Sequence, residues 1–70
     1  MIDIKKCIIG QTVYTVNNKT NEVDSWGYGG YMKSEHETLI HLVRGRQYCF
    51  IPARCVFATE SEAQEVAKKK

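Results

Sequence analysis

Cys7, Cys49, Cys55, His36 and His41 are the side chains of this chain best suited to hold a metal or to attack a carbonyl. Structural zinc sites bring their ligands in close pairs such as C-x₂-C, because two ligands on one turn reach a single tetrahedral centre. None of these residues has that spacing, so any approach of Cys49 to Cys55 rests on the fold. A cysteine nucleophile needs a base, a group that orients the base and an oxyanion hole. No motif around Cys49 or Cys55 announces them. Glu35 and Glu37 are close in sequence, but they fall in a polar loop. The chain is therefore expected to be non-enzymatic, with no catalytic residue, cofactor or metal.

Binding chemistry has more to work with. Residues 25–32 read Ser-Trp-Gly-Tyr-Gly-Gly-Tyr-Met, three aromatic rings interleaved with three glycines. This is not a phosphate loop. It lacks both the G-x-G-x-x-G pattern and the lysine of a P-loop, and no helix follows to offer its N-terminus. Rings on a strand can stack on bases, and Arg44, Arg46 and Arg54 can neutralise phosphates. Before the last element, however, residues 1–58 hold seven Lys or Arg and five Asp or Glu, a balance of only +2. Counterion release from so small a charge is weak. Protein recognition asks for less, since Trp, Tyr and Arg are the types that anchor protein interfaces. Trp26, Tyr28, Tyr31, Arg44, Arg46 and Tyr48 are the candidate partner-binding residues. The other reading of Trp26, Tyr28 and Tyr31 is that they fill the core or cover its ends, Trp26 foremost.

The elements that place these residues are legible. Residues 11–16, QTVYTV, favour a strand. Asn17 to Asn21 read as a turn, because Asn tolerates left-handed backbone and closes Asx turns. An extended run covers Val23 to Met32, and a polar break spans Lys33 to Glu37. TLIHLV (38–43) and QYCFI (47–51) flank Arg44-Gly45-Arg46, where Gly45 supplies the positive φ of a tight hairpin. Pro52 cannot donate a ladder hydrogen bond and should end that strand. Val56 and Phe57 return as a short extended piece. Thr59-Glu60-Ser61-Glu62 is a capping box, followed by Ala63, Val66 and Ala67 on one helical face. Glu60 and Glu62 suit the positive end of that helix, and Lys68, Lys69 and Lys70 the negative end. The box and the face predict a helix over about 60–69. Ile2, Ile4 and Ile8 suggest a first short strand or an extended arm, turned at Gly10.

Composition sets the class. The chain has 70 residues, of which 43% are hydrophobic and 26% charged, which fits one small globular domain rather than a disordered segment. No internal repeat or linker divides residues 1–70. No apolar run approaches the roughly 18–20 residues of a membrane helix, and at the start the lysines follow the first apolar residues and the apolar stretch is too short for a secretion signal. A cytoplasmic protein without a membrane partner is expected. An odd number of cysteines with no close pairs is a poor disulfide framework, so reduced thiols packed as small hydrophobes are the natural reading.

YCFIPARCVF (48–57) resembles the end of Src-homology-type small barrels, where a strand enters an apolar-Pro turn, often one turn of 3₁₀-helix, before the final strand. VFATESEA (56–63) is similar to the ends of short phage and mobile-element proteins of unknown function, in which Phe-x-Thr-x-x-Glu-Ala opens a terminal helix. The resemblance implies a mainly β chain: a small five-stranded SH3-like or Tudor-like barrel with a C-terminal α-helix. The turn Asn17–Glu22 is too short for the long acidic loop of the proline-peptide binders, and no paired tryptophan opens the middle strand. Proline-peptide recognition is therefore not implied, and the short loops look closer to Tudor-like or chromo-like barrels.

The expected function is a cytosolic binding module for a protein partner, of the phage or mobile-element accessory kind, with self-association into a homo-oligomer as a way to support a small core. The alternative is a nucleic-acid-binding barrel using Tyr28, Tyr31, Arg44 and Arg46. Two geometries remain open. Strict alternation along 25–32 puts Trp26, Tyr28 and Met32 on one face with Gly30, and Tyr31 opposite with Gly27 and Gly29. A bulge at Gly29-Gly30 would turn Tyr31 to the side of Trp26. His41 faces inward if Leu39 and Val43 share the core side, and outward if Ile40 and Leu42 do.

Overall fold

A computed structural model of the chain describes residues 4–68. Ile2, Lys69 and Lys70 lie outside them. Five antiparallel strands form one sheet: β1 (Thr12–Val16), β2 (Val23–Lys33), β3 (Thr38–Arg44), β4 (Gln47–Pro52) and β5 (Val56–Phe57). Their spatial order is β4-β3-β2-β1-β5. The sheet is open. β4 and β5 are its outer strands and no ladder joins them, so the closed barrel expected from sequence is not formed. Helix α1 (Glu60–Lys68) ends the chain. No described helix is long and apolar enough to cross a membrane.

The turns follow local chemistry. Between β1 and β2 the Asn17 side chain accepts the Lys19 amide at 2.9 Å, and Asn21 takes the left-handed conformation at φ 59°. Between β3 and β4, Arg44 pairs with Gln47, leaving the two-residue loop Gly45-Arg46. Gly45 has φ 60° and Arg46 does not share the positive sign, the pattern of a type II′ hairpin turn. Ala53–Cys55 form a 3₁₀ turn between β4 and β5. The Thr59 hydroxyl accepts the Glu62 amide at 3.3 Å, one half of the capping box.

At the N-terminus the expected strand or extended arm is instead a 3₁₀ turn, Ile4–Lys6. Its Ile4, together with Cys7, packs against the core. The chain then turns at Gly10, whose amide bonds to the Tyr28 carbonyl at 2.8 Å.

Pairing registers assign every strand residue to a face, because partners across a ladder point the same way. Val13, Tyr28, Ile40, Leu42 and Val56 form the inner core cluster, with Trp26, Cys49 and Ile51 packed around it. Val13, Ile40, Leu42 and Val56 are fully buried, each contributing roughly 1.5–3 kcal/mol of burial free energy. On the opposite face Tyr14 pairs with Phe57. There Val16, Phe57 and Val66 of α1 line one shallow cleft, and Ala63 and Ala67 are buried. Helix α1 thus covers the β1–β5 end of the outer face. It leaves the β3–β4 end bare.

Candidate protein-docking face

The bulge at Gly29-Gly30 sets the orientation of the aromatic strand. Tyr28 pairs with Leu42 and Tyr31 with Ile40, so two residues of β2 stand opposite His41 alone. Gly30 holds the extra residue at φ 111°, a region that side-chain-bearing residues rarely adopt. Tyr31 therefore lies on the inner side with Trp26 and Tyr28, and Met32, paired with Leu39, moves to the outer side. The version of the strand in which Met32 shares a face with Trp26 is overturned by this extra residue.

The six candidate residues part company here. Tyr28 belongs to the core, only 4% exposed, and offers no ring to a partner. Burial pushes its hydroxyl pKa up, with smaller contributions from Cys7 and Tyr31. Trp26 is half-buried and pinned on both sides. Its indole N–H donates to the Thr15 hydroxyl at 3.1 Å, and the Arg44 guanidinium sits 4.2 Å from the ring centroid. Arg44, itself exposed, also approaches Asp24 at 3.8 Å. Tyr31 is exposed near the inner-face end of β2. Arg46 is exposed at the hairpin tip and Tyr48 is exposed on the outer face of β4.

Tyr48 has companions that sequence reasoning did not single out. Since β3 and β4 pair Val43 with Tyr48, His41 with Phe50 and Leu39 with Pro52, these six residues share the outer face. Phe50 stacks on the His41 ring, with centroids 4.9 Å apart and planes 16° from parallel. Tyr48 meets His41 edge-on at 5.8 Å and Phe50 edge-on at 6.4 Å. Gly29 makes room for this. A Cβ there would come within 2.8 Å of His41 Nδ1, and that nitrogen lies 3.4 Å from the Gly29 carbonyl oxygen. Tyr48 keeps 68% of its surface exposed, Met32 51% and Phe50 49%. The signal was in the sequence: once a two-residue loop is placed at Gly45-Arg46, counting outward puts His41 opposite Phe50.

The same register separates the groups that nucleophilic chemistry would need together. Cys49 pairs with Leu42 and points inward, while His41 points outward, so the sheet stands between them. Burial raises the Cys49 thiol pKa, and the nearby Arg44 charge partly opposes this. Cys55 is exposed, which corrects the reading of all three thiols as buried, and Cys7 and Cys49 are half-buried. Among the described residues no three His, Cys, Asp or Glu side chains gather as a metal site.

The cations that the nucleic-acid reading needs are largely engaged. Arg44 is held by Trp26 and Asp24, and Arg54 by Glu37. Tyr31 pairs with Ile40, four residues along β3 from Arg44 at the hairpin, about 13 Å at the usual strand rise. Tyr31 and Arg46 do not make one platform.

No protein-family model, curated protein or solved structure matches this chain.

Proposed function

We propose that this chain is a non-enzymatic cytosolic binding module, which engages a protein partner through the outer face of β3–β4 and the open edge of β4. One observation carries the reading. Phe50, stacked on the half-buried His41 ring, and Tyr48, edge-on to both, stay exposed beside an unpaired strand edge. Apolar rings beside free backbone donors and acceptors suit addition of a strand, in which main-chain bonds supply affinity and side-chain contacts supply specificity. The strand order, and the 3₁₀ turn joining β4 to β5, support a likeness to the Src-homology or Tudor-like folds, with the sheet here left open between β4 and β5. The docking face would then be one that α1 leaves uncovered.

The test is a peptide-display selection against the immobilised chain, repeated on two variants. Binders should be lost with Phe50→Lys on the outer face and retained with Tyr31→Lys on the inner face. Binders indifferent to Phe50→Lys would sink the assignment.

A further inference from the structure

We propose that the occupant of this edge is a second copy of the chain, paired β4 to β4 antiparallel about a two-fold axis, with Tyr48 opposite Phe50 of the partner subunit and the two Cys49 residues meeting at the axis. The inference rests on the docking face described above and names what docks there.

Hydrogen-bond direction carries the argument. In a two-residue hairpin the residues flanking the loop exchange both backbone bonds, and the pattern then alternates. With Arg44 paired to Gln47, residues Gln47, Cys49 and Ile51 turn their backbone groups toward β3. Tyr48, Phe50 and Pro52 turn theirs to the free edge. Pro52 is thus tolerated as the last residue of the strand, since its missing N–H would have faced outward.

The edge presents two complete donor–acceptor residues, Tyr48 and Phe50, followed by a proline that can only accept. Placing Tyr48 opposite Phe50 of the partner subunit pairs every one of those groups in both copies and asks nothing of Pro52. A shift that sets Phe50 opposite itself leaves the Tyr48 carbonyl facing a proline ring. A shift that sets Tyr48 opposite itself sends Phe50 to Arg46 of the partner subunit, which is committed to the turn. One register satisfies the edge.

Side chains agree with it. Gln47–Pro52 contains no charged residue, whereas strand edges that stay unpaired are commonly guarded by charge. The two-fold axis runs perpendicular to the sheet, so the outer faces of both copies become continuous. Tyr48 and Phe50 then form two cross-strand aromatic pairs, next to the His41 ring of each copy. The Cys49 pair occupies a non-hydrogen-bonded position, where Cα atoms lie about 4.5 Å apart, within the roughly 4.4–6.8 Å span of disulfides.

Light scattering of the full chain over a range of concentrations should give twice the chain mass, and Phe50→Lys should halve it. Tyr48→Pro should halve it too, because the lost N–H faces the edge and leaves the β3–β4 ladder whole. In a Cys7→Ala, Cys55→Ala background, diamide should convert the two Cys49 thiols to one intermolecular disulfide by taking up their two electrons and two protons. Phe50→Lys should abolish that product. A monomeric mass at every concentration, or cross-linking that survives Phe50→Lys, overturns the inference. A monomer whose peptide binding still depends on Phe50 leaves the docking face standing and assigns it to a different protein. A monomer without such binding removes both.

Discussion

His41 lies flat on Phe50, 4.9 Å between ring centroids, on the side of the sheet away from the core. The two rings come from neighbouring strands on the outer face, where the half-buried His41 carries the more exposed Phe50. Cross-strand aromatic pairs are worth roughly 0.2–1 kcal/mol in a sheet. Phe50→Ser should therefore lower the urea midpoint only slightly, by less than about 1 kcal/mol in stability, while removing partner binding. Chemical denaturation alongside the binding assay checks this. A loss of several kcal/mol at concentrations too low for self-association would mean that Phe50 is structural.

Gly30→Ala should destabilise by about 1–3 kcal/mol, because a side chain at φ 111° is strained whatever space surrounds it. The nearest atom to a new Cβ would be Ile9 Cδ1 at 3.7 Å, an ordinary contact, so the cost is conformational rather than steric. Gly29→Ala acts differently, since the Cβ would meet the His41 ring. That variant should disturb the docking face as well as the fold. Thermal melts of both, with peptide binding measured for each, separate the two effects.

Thr15→Val should cost about 1 kcal/mol, since it removes the acceptor of the part-buried Trp26 indole bond. Arg44 over the opposite part of the same arrangement limits how far the ring moves. With a single tryptophan in the chain, its fluorescence reports the change directly. An unchanged emission maximum and melting temperature would show that the hydroxyl contributes nothing.

Alkaline pH should destabilise the protein through Tyr28. Its pKa is raised in the folded state by burial, so the folded chain holds the phenolic proton longer than the unfolded chain does. The folded state thus binds more protons above about pH 10, and stability must fall as pH rises through that range. Below it the contribution is fully present. The raised Cys49 thiol acts in the same direction from its own ordinary range upward. Urea midpoints measured from about pH 8 to about pH 11 should decline, and Tyr28→Phe should flatten the upper part of that decline. An identical slope in the variant would assign the effect elsewhere.

Thiol labelling should order the cysteines by environment. Cys55 is exposed, whereas Cys49 is half-buried with its thiol pKa raised, and the thiolate is the reacting form. Iodoacetamide at neutral pH should modify Cys55 first, and the gap should narrow as pH rises. Mass spectrometry of partial digests reads the order. Faster labelling of Cys49 would contradict its packing.

Much of this molecule is decided by short-range chemistry, and there the chain reads directly. Gly45 can take the positive φ of a tight hairpin, Asn17 and Asn21 can close the β1–β2 turn, and Thr59 can cap α1. Each needs only its own neighbours, so β1 to β5 and α1 follow from sequence to within a residue or two, whereas the N-terminal 3₁₀ turn at Ile4–Lys6 does not. The inward placement of Ile40 and Leu42, and with it the outward turn of His41, was one of two readings that sequence alone allowed.

Tertiary structure decided the rest. Alternation has a period of two, so one extra residue at Gly29-Gly30 reverses the phase and carries Tyr31 and Met32 to opposite sides of where strict alternation would put them. Whether a strand bears such a residue depends on its partner across the ladder, which local sequence does not contain. Likewise Tyr48 and Phe50 are exposed because α1 packs at the far end of the outer face and β4 has a neighbour on one side only. The sequence by itself determined where the five strands, their turns and the C-terminal helix fall, but not the 3₁₀ turn at Ile4–Lys6. Only packing between distant segments decided which rings fill the core and which stay exposed to solvent.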